Sequence, residues 1–593
     1  MNSETKTCKN CSSSFVIEPD DLTFYERIKV PPPTFCPECR SQRRLSWRND
    51  MNLYTRPCDS CGKRMVSLYS PDSGMTVYCV KCWWSDKWNP KDYAMEYDFS
   101  KPFLRQFDEL QKKVPILALA NDDGLVGGSV NCEYNHDFAR AKNCYMVFVA
   151  WKLQDSMYSH YIVDSKGMVD CLSSWDESDS VYEGIFAERC YKCWYVFYSV
   201  ALSDCAFCLD SRDSSDCFMC TGLRHKRYYF KNRPYSKEEY EKILADYKLD
   251  TYSGVERAKE EFREMLYLKP RKFSILRNTV NSTGDYLTNC KNCRDCFLVQ
   301  RGENLRYVES SDTPVDSYDL STGGELQYCY EGITPDHSYM GRFEIFSWKN
   351  TDVFYLDGCH SCKDVFGCCG LKKAQYCILN KQYTKEEYEK ILPKVIEHMN
   401  AMPYKDKNGV EYRFGEFFPA ELSYFGYNES VAQERIPLSR EQALASHFNW
   451  RDKLQLTTGQ ETVKTENLPD SIDDVKDSIL NEVLACIGCK RNYRIVLQEL
   501  QFYRRMKIPL PRKCFYCRHQ ARVNFRNPFK LWHRKCACVG STSSPQAGPG
   551  FVYQNTVKHF HGDKECPNEF ETSYAPERKE VVYCEQCYNS EIV

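Results

Sequence analysis

The sequence lacks the features that indicate several common function classes. It has no run of 18 apolar residues, so no membrane-spanning helix is expected. Its first residues, MNSETKTCKNCSSS, show no basic segment followed by an apolar one, so no secretory signal is expected. It contains no Walker-type phosphate loop, no G-x-G-x-x-G, no G-x-S-x-G and no H-E-x-x-H, and its 11 histidines are mostly scattered. These absences favour a cytoplasmic protein that is not an enzyme.

Cysteine, in contrast, is abundant, with 35 in 593 residues. Without a secretion signal, cysteines are expected to stay reduced and to bind metal rather than to form disulfides. The chain is long enough for several domains, and with 42% hydrophobic residues it can bury a large core. The formal net charge of −2 gives no overall attraction to nucleic acid or to a membrane surface.

Four Cys-x2-Cys pairs stand at the start of the chain. Two thiolates three residues apart can hold one side of a tetrahedral zinc ion, and a second pair completes its coordination. Four thiolates leave no position for water, so such a site is expected to stabilise the fold rather than to catalyse. The predicted ligands of the first two sites are Cys8, Cys11, Cys36 and Cys39, and Cys58, Cys61, Cys79 and Cys82.

The end of the chain repeats this arrangement at an offset of 478, which becomes 505 after a 27-residue insertion containing GSTSSPQAGPG, expected to be a flexible surface loop. The predicted ligands of the third and fourth sites are Cys486, Cys489, Cys514 and Cys517, and Cys536, Cys566, Cys584 and Cys587. Cys538, His559 and His561 are alternatives for the first or second ligand of the fourth site. Four zinc ions are therefore expected, with iron or disulfides as alternatives.

The segments CKNC…FYERIKVPPPTFCPECRSQRR and CIGC…FYRRMKIPLPRKCFYCRHQAR, at about residues 8–44 and 486–522, resemble the zinc-ribbon, treble-clef-like domain family. The resemblance implies a structural zinc and a contact with nucleic acid or protein, and it implies no enzyme. Ser12 and Lys490 stand where the family usually has glycine after the first pair. The whole chain also resembles large multi-zinc-ribbon proteins of reduced-genome bacteria, which brings no function with it.

The centre of the chain is a second duplication, because residues 216–244 match residues 364–392 at an offset of 148. Within each copy, strand-like runs alternate with polar turns at spacings of 21 to 25 residues, which predicts a β-solenoid. Capping boxes predict that each copy ends in a helix that covers the open end of the sheet. Valines replace two of the central cysteines in the second copy, so we interpret these cysteines as small interior residues, with Cys290, Cys293 and Cys296 as a possible metal cluster.

The predicted fold is therefore mainly β and multidomain, with tandem zinc ribbons at both termini flanking two solenoid-like domains that each carry a capping helix. Further helices are expected at 101–113 and 471–485. The predicted domains are 1–85, the first zinc-ribbon pair; 86–130, a helical linker; 131–250, solenoid copy 1; 251–280, a helical connector; 281–400, solenoid copy 2; 401–485, a linker region; and 486–593, the second zinc-ribbon pair.

Positive charge is concentrated at residues 486–535, which hold 14 lysines and arginines and one acid, Glu499. Cations interleaved with aromatic residues are typical of RNA-binding surfaces. The candidate nucleic-acid ligands are Arg504, Arg505, Lys507, Arg512, Lys513, Arg518, Arg522, Arg526, Arg534 and Lys535. Alternatively, this basic segment docks on the acidic remainder of the same chain, and Phe502-Tyr503 packs within the protein.

Three hypotheses for the function follow. The first is a zinc-stabilised protein that binds RNA or ribosomes through the basic C-terminal ribbon. The second is a protein-interaction scaffold that uses the acidic, tyrosine-rich solenoids. The third is a carbohydrate-active solenoid enzyme, although Asp and Ser at the turns are also what turn geometry favours.

Overall fold

The computed structural model describes residues 3–120, 128–539, 546–548 and 551–592, in which strands outnumber helices. The chain forms two compact units: unit 1 comprises Met1–Ala120 and Ser274–Leu454, and unit 2 comprises Asn121–Phe273 and Gln455–Val593. Each unit therefore combines one cysteine-rich end of the chain with the central copy that lies farther from it in sequence. No helix in the described ranges has both the length and the apolar character needed to cross a membrane.

Each unit contains one large, almost entirely parallel sheet, which we name ladder 1 in unit 2 and ladder 2 in unit 1. The strands of ladder 1 are Val130–Glu133, His136–Ala139, Lys142–Tyr145, Phe148–Gln154, His160–Lys166, Leu172–Ser174, Asp179–Tyr182, Tyr191–Phe197, Val200–Ser203, Ala206–Leu209, Arg212–Thr221, Arg227–Phe230 and Arg233–Pro234. The strands of ladder 2 are Leu276–Arg277, Gly284–Thr288, Lys291–Arg294, Cys296–Gln300, Glu303–Arg306, Glu309–Asp312, Val315–Gly324, Tyr330–Ile333, Tyr339–Ile345, Thr351–Asp357, Lys363–Cys369, Gln375–Ile378 and Lys381–Gln382.

The parallel pairing in both ladders advances mostly by 12 residues. Phe148 pairs with His160 in ladder 1, and Val353 pairs with Val365 in ladder 2. The repeat is thus about half of the 21 to 25 residues that the sequence suggested. Each repeat expected from the sequence therefore spans about two steps of the ladder. Along most of each ladder every third residue has a positive φ, as at Asp319 (56°) and Thr322 (69°), so the backbone turns a corner every three residues.

The residue after most corners points into the ladder and is small or aliphatic, whereas Glu344 and Asn350 take this position in ladder 2. Cys193 and Cys205 of ladder 1 are 0% and 1% exposed, and Val353 of ladder 2 is 0% exposed. Interior Cys and Ser side chains bond in the same way: the thiol of Cys193 donates to the carbonyl of Tyr191 at 3.3 Å, as the hydroxyl of Ser199 donates to that of Phe197 at 2.9 Å. These cysteines therefore act as small interior residues.

No ladder cysteine belongs to a described group of side chains close enough to share a metal ion. The proposed exception, Cys290, Cys293 and Cys296, follows the same interior pattern, with exposures of 2%, 0% and 0%. Each of these thiols bonds to the backbone carbonyl two residues earlier.

A helix follows each ladder, as the capping boxes predicted. The helix Lys237–Tyr247 begins after Ser236, and the helix Lys385–Ala401 begins after Thr384, each with both reciprocal capping bonds. Tyr240 packs on Tyr228 of ladder 1, with ring centroids 5.8 Å apart, and Tyr388 makes the equivalent contact in unit 1. The helices thus cover the last strands of the ladders.

The remaining elements of unit 1 lie on both sides of ladder 2 in sequence. They are the strands Glu4–Thr7, Ser14–Ile17, Tyr54–Pro57, Arg64–Ser67, Val77–Tyr78, Ile116–Leu117, Tyr404–Lys405 and Glu411–Tyr412, and the α-helices Pro19–Arg27, Pro37–Leu45, Val80–Trp83, Phe103–Lys113, Val431–Arg435 and Arg440–Ala445. The helix Phe103–Lys113 lies where one was expected at 101–113.

The remaining elements of unit 2 are the helices Tyr252–Tyr267, Leu497–Met506, Phe515–Phe525 and Glu585–Ile592, and the strands Arg271–Lys272, Leu484–Ala485, Asn492–Tyr493, Trp532–Lys535, Gln546–Gly548, Phe551–Tyr553, Glu569–Thr572 and Val582–Tyr583. The α-helix expected at 471–485 is wrong, because this stretch forms the short 3-10 turns Ile472–Asp474 and Asp477–Asn481 and then a strand. Most of the predicted flexible loop at 540–550 lies outside the described residues.

The interior role of the ladder cysteines predicts how substitutions act. Cys205→Val should change the free energy of unfolding by less than about 1.5 kcal/mol, because a small apolar side chain is retained. Cys205→Asp should cost about 3 kcal/mol or more, because it buries an unpaired charge. Urea unfolding of the metal-loaded protein measures both. The reciprocal change Val353→Cys is the matched control, and a Cys205→Val cost as large as that of Cys205→Asp would contradict the interior role.

Candidate metal centres and their arginine interface

The structure brings together the four predicted groups of cysteines at the two ends of the chain. Within each group the sulfur atoms all lie within 4.8 Å of one another. Cys11 and Cys36 have sulfur atoms 3.7 Å apart, and the equivalent Cys489 and Cys514 are separated by 3.6 Å. Four ligands of a tetrahedral metal–thiolate site lie about 3.8 Å apart when the metal–sulfur bonds are about 2.3 Å. Each group could therefore hold a metal ion.

Turns with a left-handed residue shape the first Cys-x2-Cys pair of three clusters. Ser12, Gly62 and Lys490 have φ values of 61°, 71° and 62°. Each residue follows the second cysteine of its pair, at the position where the resembled family has glycine. The turn therefore forms with serine and lysine as well, at the cost of some backbone strain.

Backbone N–H groups around the sulfur atoms favour thiolates. Burial would raise the pKa of Cys486, but N–H groups of Cys489, Cys514 and Gly488 lower it to about 6. In the second cluster burial likewise opposes the shift, and N–H groups including that of Cys79 lower the pKa of Cys58 to about 7. Since the thiolate is the form that binds metal, these donors prepare the clusters for an ion.

The fourth cluster is buried and has a second group beside it. Cys566 lies 3.9 Å from Cys584 and 3.7 Å from Cys587, measured between sulfur atoms. Cys538, His559 and His561, which the sequence offered as substitutes within this cluster, form instead a separate group that shares Cys587. The two groups thus contain seven different side chains.

The second Cys-x2-Cys pair of the first and third clusters opens an arginine-bearing helix. Cys36 is the N-cap of Pro37–Leu45, and Cys514 is the N-cap of Phe515–Phe525. Arginines four residues apart in a helix lie on one face. The cluster cysteines therefore fix the direction in which Arg40 and Arg44, and likewise Arg518 and Arg522, leave the helix.

In unit 1 this arginine face is buried against ladder 2. Arg40 and Arg44 both bind Asp319, with N–O distances of 2.9 and 3.0 Å, and all three side chains are at most 1% exposed. Arg43 lies 2.9 Å from Glu331, which stands twelve residues after Asp319 in the ladder. Burial raises the pKa of Glu331, although Arg43 and Arg44 oppose this shift.

Unit 2 contains the same interface, built from the C-terminal end and ladder 1. Arg518 and Arg522 bind Asp170 at 2.9 and 3.1 Å, and Arg522 also binds Glu183 at 2.8 Å. The offset of 478 maps Arg40 and Arg44 onto these two arginines. The offset of 148 maps Glu183 onto Glu331, and Asp170 falls on Asp319 after a shift of one residue, because ladder 1 advances by 13 residues at this step and ladder 2 by 12. The two pairs of duplicated segments thus form the same kind of interface in both units.

The paired aromatic residues that precede these helices also pack on the ladders. Phe24 stacks on Tyr318 with ring centroids 3.9 Å apart, and Tyr25 contacts Tyr330 edge-on at 5.4 Å. In unit 2, Phe502 and Tyr503 contact Tyr182 at 6.2 and 5.9 Å. Phe502 and Tyr503 are 3% and 0% exposed, so they contribute to the core of unit 2.

The ten predicted nucleic-acid ligands divide into buried and more exposed residues. Arg512, Arg518, Arg522 and Arg526 are at most 8% exposed, and Arg534 is partly buried and bonds to backbone carbonyls. Arg504, Lys507 and Lys535 are paired with Asp477, Asp473 and Glu569. Arg505 and Lys513 are exposed. Much of the basic segment therefore bonds to unit 2 itself. This agrees with the alternative expectation that the basic segment docks on the acidic remainder of the same chain.

The sequence interpretation did not identify the carboxylates that receive these arginines. Asp170 and Asp319 each lie at a positive-φ corner, which Asp tolerates, so they resemble ordinary turn residues. One signal was present: the central duplication aligns Glu183 with Glu331, just as the terminal duplication aligns the arginines. The two aspartates align only after a shift of one residue, which sequence spacing alone does not indicate.

The comparisons with known proteins assign the chain to no family. No protein-family model and no curated protein matches the chain. Among solved structures, a "putative acetyltransferase" from Desulfovibrio desulfuricans G20 is similar over 49% of this chain and 86% of its own, with 9% identity and a TM-score of 0.09. A similarity of this size carries no argument about fold or activity.

The clusters predict a loss of metal when ligands are removed. Cys486→Ser combined with Cys489→Ser should lower the number of bound ions by one and destabilise unit 2, because two thiolates cannot hold a structural ion. Native mass spectrometry counts the ions. Cys193→Ser combined with Cys205→Ser is the control and should leave the count unchanged. An unchanged count in the Cys486 variant would contradict the metal site.

The buried interface predicts a large cost when its carboxylate is removed. Asp170→Ala should destabilise unit 2 by about 3–5 kcal/mol, because two buried guanidinium groups lose the carboxylate that they share. Asp319→Ala should do the same in unit 1. Asp164→Ala, which breaks the exposed Lys152–Asp164 pair, should cost less than about 1 kcal/mol. Denaturant unfolding measures each change, and equal costs for Asp170 and Asp164 would disprove the structural role of the interface.

Proposed function

We propose that this protein is a zinc-stabilised, non-enzymatic binding protein that binds single-stranded nucleic acid, RNA foremost, through a basic, tyrosine-lined pocket of unit 2. In this proposal the terminal segments are zinc-ribbon domains whose four tetra-cysteine clusters each hold zinc. The ladders are β-solenoids that serve as rigid supports. The buried arginines join each ribbon to its solenoid, and a different set of cations contacts the ligand.

The observation that carries the proposal is a pocket of about 280 Å³ beside the third cluster. Tyr145, Arg491, Tyr493, Arg494 and Tyr516 are among its lining residues. The guanidinium of Arg491 lies 4.0 Å from the centre of the Tyr516 ring. Planar aromatic and guanidinium groups stack on unpaired bases, and nearby cations hold the phosphates.

The cations of this pocket differ from those of the arginine interface in their partners. Arg518 and Arg522 are paired with buried carboxylates. Within the described residues no ion pair involves Arg491 or Arg494, and Arg494 is exposed. A phosphate can therefore pair with these two side chains without displacing a carboxylate of the protein.

The corresponding turn of unit 1 has no such cations. The offset of 478 maps Lys490, Arg491 and Arg494 onto Ser12, Ser13 and Val16. The arginine–ladder interface is common to both units, but these cations occur only in unit 2. This difference favours an interface role for the shared arginines and a ligand-binding role for the unshared ones.

The test is fluorescence anisotropy of labelled single-stranded RNA titrated with the intact, zinc-loaded protein at several salt concentrations. Binding should weaken steeply with salt, because phosphate contacts release counterions. Arg491→Glu combined with Arg494→Glu should weaken binding at least about tenfold, since each lost contact costs about 1 kcal/mol or more. Circular dichroism and metal content should stay unchanged, because both residues lie outside the buried interface.

A matched control reverses two exposed charges of unit 1, Lys63→Glu with Arg64→Glu, and should leave the affinity nearly unchanged. An equal loss in both variants would indicate general electrostatic attraction and would overturn the assignment to the pocket. If neither RNA nor single-stranded DNA binds at low salt, the nucleic-acid proposal fails. The protein-interaction scaffold would then be the better hypothesis.

A further inference from the structure

We propose that the fourth tetra-cysteine cluster is one half of a thiolate-bridged dinuclear zinc centre, in which Cys538, His559 and His561 hold a second ion and Cys587 is shared. The protein would then bind five zinc ions. The inference goes beyond the proposed function, because it adds a metal site that neither the chain's duplication nor nucleic-acid binding requires.

The two groups of ligands have the separations that two neighbouring tetrahedral ions need. In the second group the sulfur of Cys538 lies 3.3 Å from Nδ1 of His559, and the sulfur of Cys587 lies 3.4 Å from Nε2 of His561. The sulfur of Cys587 is also 3.7 Å from that of Cys566 in the tetra-cysteine cluster. Two cysteines with two histidines are a common ligand set for structural zinc.

Both histidines have the second-sphere partners that are typical of zinc ligands. His559 turns Nδ1 towards the sulfur of Cys538, and its Nε2–H donates to Oε1 of Glu591 at 2.8 Å, with both side chains 0% exposed. His561 turns Nε2 towards Cys587, and its Nδ1–H donates to the carbonyl of Lys564 at 2.7 Å. Such partners fix the tautomer that leaves the other nitrogen free to bind metal.

The sulfur of Cys538 is also prepared for a metal. The amide of Asn555 donates to this sulfur at 3.4 Å, and the hydroxyl of Tyr583 holds the same amide by donating to its oxygen at 2.6 Å. Cys538 is 0% exposed. A buried sulfur that faces a histidine nitrogen and an amide donor is better explained as a ligand than as an interior cysteine of the ladder type.

The internal duplication provides a comparison within the chain. At the offset that maps Cys58 onto Cys536, Ser60 takes the place of Cys538. His559 and His561 lie in the inserted segment, which has no counterpart at the N-terminal end. Three ligands of the second ion thus occur together in one copy and are absent together from the other.

The test counts zinc in the intact protein after excess metal is removed by a chelating resin. Native mass spectrometry should find five ions in the wild type and four in His559→Ala combined with His561→Ala. His533→Ala, which changes an exposed histidine of the same C-terminal end of the chain, should keep five. After exchange to ¹¹³Cd, nuclear magnetic resonance should show two mutually coupled cadmium signals, since two ions that share a thiolate are joined through two bonds.

Four ions in the wild type and in the double-histidine variant would overturn this inference and leave the four tetra-cysteine sites intact. Five ions without cadmium coupling would overturn the shared thiolate. Fewer than four ions in the wild type would instead contradict the zinc occupancy proposed for the tetra-cysteine clusters. The RNA titration is independent of all these outcomes, so the two proposals can fail separately.

Discussion

The buried pairing between helix arginines and ladder carboxylates holds each unit together. Removing charged groups from water is costly unless each has a well-placed partner. Asp319 receives Arg40 and Arg44, and Asp170 receives Arg518 and Arg522, with every one of these side chains at most 5% exposed. Neither a cysteine-rich end nor a ladder can bury its own half of these pairs alone, so each is completed by the other.

The candidate metal centres act on this interface through the helix that they begin. Cys36 and Cys514 are cluster members and helix N-caps at once. An ion bound in the cluster would therefore fix the first turn of the helix, and the helix fixes the spacing of its arginines. The ladder supplies the matching spacing, because its 12-residue register sets Asp319 and Glu331 on neighbouring strands. The cysteine cluster thus sets the positions of the arginines, and the ladder register sets the positions of the carboxylates that pair with them.

The sequence was sufficient for the features that depend on local spacing. The Cys-x2-Cys pairs and the capping boxes at Ser236 and Thr384 follow from residues close together in the chain, and the interior role of Cys205 follows from the valine at the matching point of the second copy. It was not sufficient for Asp170, the carboxylate that binds Arg518 at 2.9 Å, which lies more than 300 residues away and resembles an ordinary turn residue. The charge of residues 486–535 indicated a phosphate ligand, but charge alone cannot tell whether a carboxylate of the same chain already neutralises it.

The combination of chain ends and central copies in the two units has a consequence for biosynthesis. Ladder 1 is synthesised more than 200 residues before the helix Phe515–Phe525 that completes it. During that interval Asp170, Glu183 and the tyrosines beside them lack their own partner, while the first cysteine-rich end, with the same arginine spacing, has already been made. Ladder 1 thus exposes carboxylates that match the arginines of the other unit before its own arginines exist. Sequence differences between the two interfaces, such as Phe343 in place of Tyr195, are where the two pairings can be told apart.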